Sequence, residues 1–283
     1  MKDLTSYLFE TKAMKICPEN EPFWYTSGKI GPYYINTQFL YGNEEKSKNL
    51  LKFIDEEKDN KITLPKKVHD KVLENYNNDE IYKNVIDELI EYIKTNIDID
   101  EVDYISGGER RDWFFSYIVA NKLNKPHITI YKDLNTIITN NDCSTILEFT
   151  DLQGSHVLHI ADLVTEASSY FRAWIPAIEN LNANINWSTV IVDRMQGGSK
   201  KLKESNIQSF AMVTVEPSLF EKAFHLNVIN ESQLELLNDF FKSPDETMKG
   251  FLKTHPEFLE NALNSDEKTA KRAQLCIDSK FYK

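Results

Sequence analysis

The stretch Ser155–Ser169, SHVLHIADLVTEASS, decides the fold. Val157, Leu158 and Ile160 form a short apolar run suited to a strand buried inside a sheet, and Asp162 follows at its end. Small and hydroxylated residues, Thr165 to Ser169, lead into a helical segment, SYFRAWIPAIENL, in which Pro176 predicts a bend or restart. A strand that ends on a carboxylate and turns into a helix N-terminus is a nucleotide-binding arrangement. The turn offers free backbone N–H groups and a positive dipole end to a phosphate, and the carboxylate can hold a sugar hydroxyl.

Composition sets the bounds around it. The 283 residues are 41% hydrophobic and 27% charged, enough apolar surface for one large core with appendages. The formal net charge of -11 argues against nucleic-acid binding, which needs a basic face. An anionic ligand would need a local cluster of Arg, Lys and backbone N–H groups. Cys17, Cys143 and Cys276 are far apart and form no CxxC pair, so we expect reduced thiols and a cytoplasmic location. No run suggests a signal peptide or a membrane span, and no internal repeat is evident. The six histidines offer no metal cluster: His156 and His159, three apart in a strand, point to opposite faces.

Upstream, residues 2–16 predict an amphipathic helix on Leu4, Leu8 and Phe9. Phe23–Gly42, FWYTSGKIGPYYINTQFLYG, is aromatic, broken by Gly28 and Gly31-Pro32, and reads as a hairpin. Glu44–Glu57 reads as a helix. Residues 58–80 are polar and broken by Pro65, and read as an insertion with Lys66-Lys67 on a solvated face. Ile81, Val85, Ile86, Leu89, Ile90 and Ile93 mark a strong helix. The strand Val102–Ile105 then runs into Gly107-Gly108, where backbone can approach a ligand closely. Arg110 and Arg111 follow, suited to phosphate oxygens or to surface pairs with Glu109 and Asp112.

Pro126–Asp133 is the next strand, and TIIT (136–139) and STILEF (144–149) alternate as a hairpin about Asn140-Asn141-Asp142. Trp187–Val192 is a buried strand ending in Asp193-Arg194-Met195-Gln196-Gly197-Gly198, and Ser209–Val215 is a further strand. Beyond Glu216-Pro217 short helices follow, one with Ser232 and Glu235 placed as a capping box. The alternation over residues 81–216 predicts an α/β core, a mostly parallel sheet flanked by helices. An N-terminal helix and hood hairpin (1–42), a helical and polar insertion (43–80) and a helical C-terminal appendage (217–283) complete the expected organisation.

These motifs resemble those of the type I phosphoribosyltransferases. There an apolar strand is followed by two acidic residues, two aliphatics and a Thr-Thr-Gly-Gly/Thr-Ser-like loop. Here Ala161 replaces the first acid, Asp162 is the second, and Thr165-Glu166-Ala167-Ser168-Ser169 stands for the loop. Ser27, Gly28, Pro32, Tyr33 and Tyr34, with the Asp193-Arg194 and Gly197-Gly198 pairs, are similar to the orotate phosphoribosyltransferases in particular. The resemblance implies transfer of phosphoribose from phosphoribosyl diphosphate to orotate or another pyrimidine base, in pyrimidine nucleotide biosynthesis, with Mg²⁺ and a homodimer. It implies Asp162 for the ribose hydroxyls and Thr165, Ser168 and Ser169 for the 5′-phosphate. Gly107, Gly108, Glu109, Arg110 and Arg111 would take the diphosphate, Lys132 would act from the start of the catalytic loop, and Lys29, Tyr34 and Arg194 would hold the base.

The departures from the family pattern are specific. Tyr131 replaces the Arg before Lys132, Asp112 stands where a Gly is usual, and residues 133–153 hold neither the Lys nor the His of the family's catalytic loop. Glu166 puts a carboxylate into a phosphate loop, where it opposes an anion unless it turns outward, as we expect it to. These features leave two other readings open: a non-catalytic phosphoribosyl- or nucleotide-binding regulatory protein, and a phosphoribosyltransferase for another base.

Overall fold

The structure, a computed structural model, describes residues 3–149 and 151–282. It forms two compact units, one of Met1–Ala13 with Thr37–Val215 and the other of Met14–Asn36 with Glu216–Lys283. Helix α1 (Leu4–Glu10) starts at Asp3, whose carboxylate accepts the Ser6 N–H. It is shorter than the helix expected over 2–16, because Met14 onward enters a strand. Four short strands follow: β1 (Met14–Ile16), β2 (Phe23–Trp24), β3 (Ile30–Gly31) and β4 (Tyr33–Ile35). β2 and β3 form the expected hairpin, and β4 pairs antiparallel with β1.

Next come α2 (Glu44–Glu57), α3 (Leu64–Asn78) and α4 (Glu80–Asn96), the first and last capped by Asn43 and Asp79. The stretch 58–80, read as polar, is apolar on one face and holds helix α3. Pro65 sits in its first turn, where a missing N–H costs nothing. Leu64, Val68 and Val72 are fully buried, with α3 lying on the core helix that follows the first sheet strand.

The core elements are β5 (Tyr104–Gly108), α5 (Trp113–Leu123), β6 (His127–Ile130), β7 (Thr136–Thr139), β8 (His156–Val164), α6 (Ile175–Glu179), β9 (Asn184–Asp193), α7 (Gly198–Glu204) and β10 (Gln208–Thr214). The sheet order is β10-β9-β8-β5-β6-β7, parallel throughout except for β7. Helix α5 is buried around nearly its whole circumference, from Trp113 to Ala120, as a helix enclosed by its neighbours must be. A π-helical turn, Tyr170–Trp174, precedes α6, which restarts at Pro176 as expected.

The hairpin expected between TIIT and STILEF does not form. The turn at Asp133–Asn135 sends β7 back along β6; on its other edge 144–149 forms no strand and adds an isolated bridge, Thr139 to Ile146, with the Leu147 N–H on the Ile138 carbonyl (2.8 Å) and the Asn140 N–H on the Thr145 carbonyl (3.0 Å). Among the described residues no helix is long and apolar enough to cross a membrane.

The second unit joins the hood hairpin to the C-terminal helices, α8 (Pro217–His225), α9 (Glu231–Lys242), α10 (Pro244–Thr254), α11 (Pro256–Leu263) and α12 (Glu267–Asp278). Strands this short cannot bury their own aromatics. Trp24 stacks on Phe258 (5.5 Å, 12°), and Tyr33 meets Phe220, Phe240 and Phe241 at 5.6–6.1 Å. Arg272 Nη1 donates to the Trp24 carbonyl (2.7 Å) and the Ile30 N–H donates to the Tyr282 hydroxyl (2.9 Å). The capping box of α9 is Asn230 with Gln233, two residues earlier than the Ser232–Glu235 pair read from sequence.

If 58–80 belongs to the core, Leu64→Ala should cost about 2–5 kcal/mol, whereas Lys66→Ala should stay within about 0.5 kcal/mol. Denaturant midpoints measure both; a near-neutral Leu64→Ala would contradict this packing.

Candidate functional site

β5 and β8 are parallel neighbours, so their C-terminal ends open on the same edge of the sheet, where α/β folds bind ligands. A cleft of about 320 Å³ lies there. One side is Glu109, Arg110, Arg111 and Lys132; Ala161 and Asp162 lie at the strand end, and Thr165, Ser168 and Ser169 line the other side.

Gly107 and Gly108 do not line this cleft. A Cβ on Gly107 would fall 2.1 Å from Ser116 Oγ, and one on Gly108 would fall 2.2 Å from the Trp174 ring. These glycines leave room for the side chains of Ser116 and Trp174. The Glu109–Arg110 peptide that follows is cis. The two arginines also part company. Arg110 is ion-paired to Asp55 of α2, whereas Arg111 is exposed and, among the described residues, no carboxylate pairs with its guanidinium. Glu109 accepts the Lys132 N–H (3.1 Å) and lies 3.6 Å from Lys132 Nζ, which keeps that ammonium at the cleft edge.

Asp162 is buried, and its Oδ2 accepts the Thr37 hydroxyl at 2.6 Å. Its N–H donates to Oδ1 of Asp112 (3.0 Å), and Oδ2 of Asp112 accepts the Gly108 N–H (3.1 Å). Asp112 is thus a buried strut, not the surface partner of an arginine. Burial, with the Asp112 carboxylate beside it, holds the Asp162 carboxyl well above the usual carboxylate range, and the Arg111 charge opposes that rise.

The loop after β8 forms a cradle. Ala167 adopts a left-handed conformation (φ +57°), the geometry that favours the glycine of the family pattern. The Tyr170 N–H reaches the Ala167 carbonyl at 3.0 Å. Among the described residues, the amides of Glu166 to Ser169 donate to nothing, and the hydroxyls of Thr165, Ser168 and Ser169 make no hydrogen bond. Glu166 turns away: its carboxylate is 3.8 Å from Lys201 Nζ and is mostly exposed. Gly198 fixes the loop from behind. Its N–H donates to the Thr165 carbonyl (2.9 Å), and a Cβ there would fall 2.5 Å from that oxygen. Gly198 is therefore a packing requirement of the cradle, whereas Gly197 answers to its left-handed backbone (φ +89°).

The expected base-binding residues are divided between the two units. Arg194 is half-buried at the end of β9, its N–H on the Val164 carbonyl (2.9 Å), and it is not among the lining residues. Lys29 and Tyr34 belong to the second unit, where Lys29 Nζ is 2.8 Å from Asp245 and the Tyr34 ring is 6.0 Å from Phe23. Sequence reasoning missed Thr37, Asp112 and Trp174. Thr37 lies 125 residues from its partner and no local pattern marks it. Asp112 stands at a helix start without capping it, so its type alone suggested a surface charge. Among the described residues no group of three or more His, Cys, Asp or Glu could hold a metal ion.

No family model matches this sequence. Over 131 residues, 46% of this chain and 71% of the relative, it is 28% identical to an orotate phosphoribosyltransferase of Methanosphaera stadtmanae. An orotate phosphoribosyltransferase structure from Francisella tularensis superposes with a TM-score of 0.51 at 17% identity, over 84% of this chain and 96% of that one. UMP synthase of Leishmania donovani gives a TM-score of 0.53 at 17% identity over 84% of this chain, which spans 41% of the UMP synthase chain. Likeness in sequence and likeness in fold point the same way: the chain resembles an orotate phosphoribosyltransferase in sequence and has the fold of the type I phosphoribosyltransferases.

Proposed function

We propose that this cleft binds phosphoribosyl diphosphate and that the chain transfers its phosphoribosyl group to a pyrimidine base, orotate being the first candidate. One observation carries the reading: an open cradle of amides and hydroxyls, a buried carboxylate and an unpaired arginine face the same cleft. The cradle suits the 5′-phosphate, Asp162 the ribose hydroxyls, and Arg111 with Lys132 the diphosphate. Transfer would release diphosphate as the base nitrogen bonds to the ribose carbon, through a state with positive charge on the sugar. Catalysis would then consist of positioning and charge stabilisation. Mg²⁺ commonly takes substrate phosphate oxygens plus one or two carboxylates, and Glu109 and Asp162 fit that role without a preformed cage. When bound, such an ion would offset the leaving diphosphate's charge.

A non-catalytic phosphoribosyl-binding protein is the second reading. Ala161 lines the cleft where the resemblance would place an acid, and residues 133–153 offer no Lys or His to close over a diphosphate. Both readings share the ligand and differ in turnover.

An assay with orotate and phosphoribosyl diphosphate beside calorimetry on ribose 5-phosphate separates them. Binding with product formation supports the transferase, binding without turnover the sensor, and no binding contradicts both. Arg111→Ala should weaken diphosphate binding about ten- to a hundredfold, the worth of a charged hydrogen bond. Arg110→Ala, already committed to Asp55, should change it less than about threefold; equal losses would contradict the division of labour. Because Glu166 faces solvent and Lys201, Glu166→Thr with Ala167→Gly should shift ribose 5-phosphate affinity by less than about threefold. Tightening of an order of magnitude would mean the carboxylate repels the phosphate after all.

A further inference from the structure

The ladder between β5 and β8 ends where Ser106 stands opposite His159. Beyond it, the Gly108 and Asp162 amides both donate to one side chain, Asp112 (3.1 and 3.0 Å). Asp112 is itself buried at the start of α5. Behind it lies His159, fully buried, with Nε2 3.5 Å from Asp112 Oδ2 and Nδ1 2.9 Å from Ser106 Oγ. The His159 ring also contacts Tyr170 (5.0 Å, 69°) and Trp174 (6.2 Å, 27°), on the helical turn that follows the phosphate cradle.

We propose that Asp112 is the positioning residue of the cleft. Its carboxylate replaces the missing rung between β5 and β8, and so holds the Arg111 loop and the Asp162 strand end at a fixed spacing. The proposal rests on the phosphoribosyl reading for the identity of the ligand, but the lock itself does not depend on that reading. A carboxylate is needed because both partners are N–H donors. An asparagine offers one oxygen and would turn its NH₂ toward the other donor.

Electrostatics and positioning give opposite expectations for Asp112→Asn, which makes the variant informative. Removing a negative charge beside Arg111 should, by Coulomb attraction alone, tighten an anion in the cleft. Loss of the lock should loosen it. Inorganic sulfate is a suitable probe because it does not titrate between pH 6 and 8.

The experiment is calorimetric titration of sulfate into wild type and Asp112→Asn, beside amide hydrogen exchange. We expect about tenfold weaker sulfate binding in the variant and faster exchange at Gly108 and Asp162. Unchanged or tighter binding with unchanged exchange overturns the lock. A variant that does not fold leaves the wild-type exchange to decide: one opening requires the two amides to share a common protection, and protections more than about tenfold apart overturn the proposal. If wild type binds neither sulfate nor ribose 5-phosphate, the phosphoribosyl reading fails, and exchange at the two amides judges the lock alone.

Discussion

The structure depends on one constraint: β8 is apolar on both faces and must be buried on both. Val157, Leu158 and Ile160 are fully buried, and parallel pairing with β5 on one side and β9 on the other satisfies the backbone. A parallel pair needs crossover connections, so helices must cover the sheet, and every strand from β5 to β10 except β7 must end at the same edge. The cleft is a consequence of that shared edge. The apolar strand buries Ile160, turns polar at Asp162 and releases into the cradle, so core and site are successive residues of one element.

The cleft is expensive to build. Two carboxylates in near contact repel by about 4 kcal/mol at 4 Å and an effective dielectric of 20, and burial adds a desolvation cost. Asp112 and Asp162 meet that cost with hydrogen bonds from Gly108, Asp162 and Thr37, and with the charge of Arg111. Asp162 also remains readier to hold a proton than an ordinary aspartate. The opposing cations are arranged unequally. Arg110 and Lys132 are engaged by Asp55 and Glu109, which leaves Arg111 as the guanidinium most open to a new anion.

Local patterns carried much of the fold in the sequence. Periodicity marked α4, the apolar runs marked β8 and β9, and glycine-rich strand ends marked the loops beside the cleft. Most of the expected phosphoribosyl diphosphate contacts do line it. What was illegible is long-range or two-faced. Thr37 meets Asp162 across 125 residues, and Gly108 is a glycine because Trp174 needs the space, which reads the same as a glycine serving a ligand. Helix α3 was hidden because Pro65 is a breaker in a helix interior and a starter at its first turn, and only the buried Val68 and Val72 tell which. The hood and the C-terminal helices are far apart in sequence, and contacts such as the stacking of Trp24 on Phe258 and of Tyr33 on Phe241 show that they form one unit.

The central claim is that a phosphoribosyl group occupies the cradle after β8 with its sugar toward Asp162. Backbone NMR during titration with ribose 5-phosphate tests it most directly. The account expects the largest amide shifts at Glu166 to Ser169, accompanied by Asp162 and Arg111, saturating together with one dissociation constant. Shifts confined to other parts of the chain, or none at millimolar ligand, would contradict it.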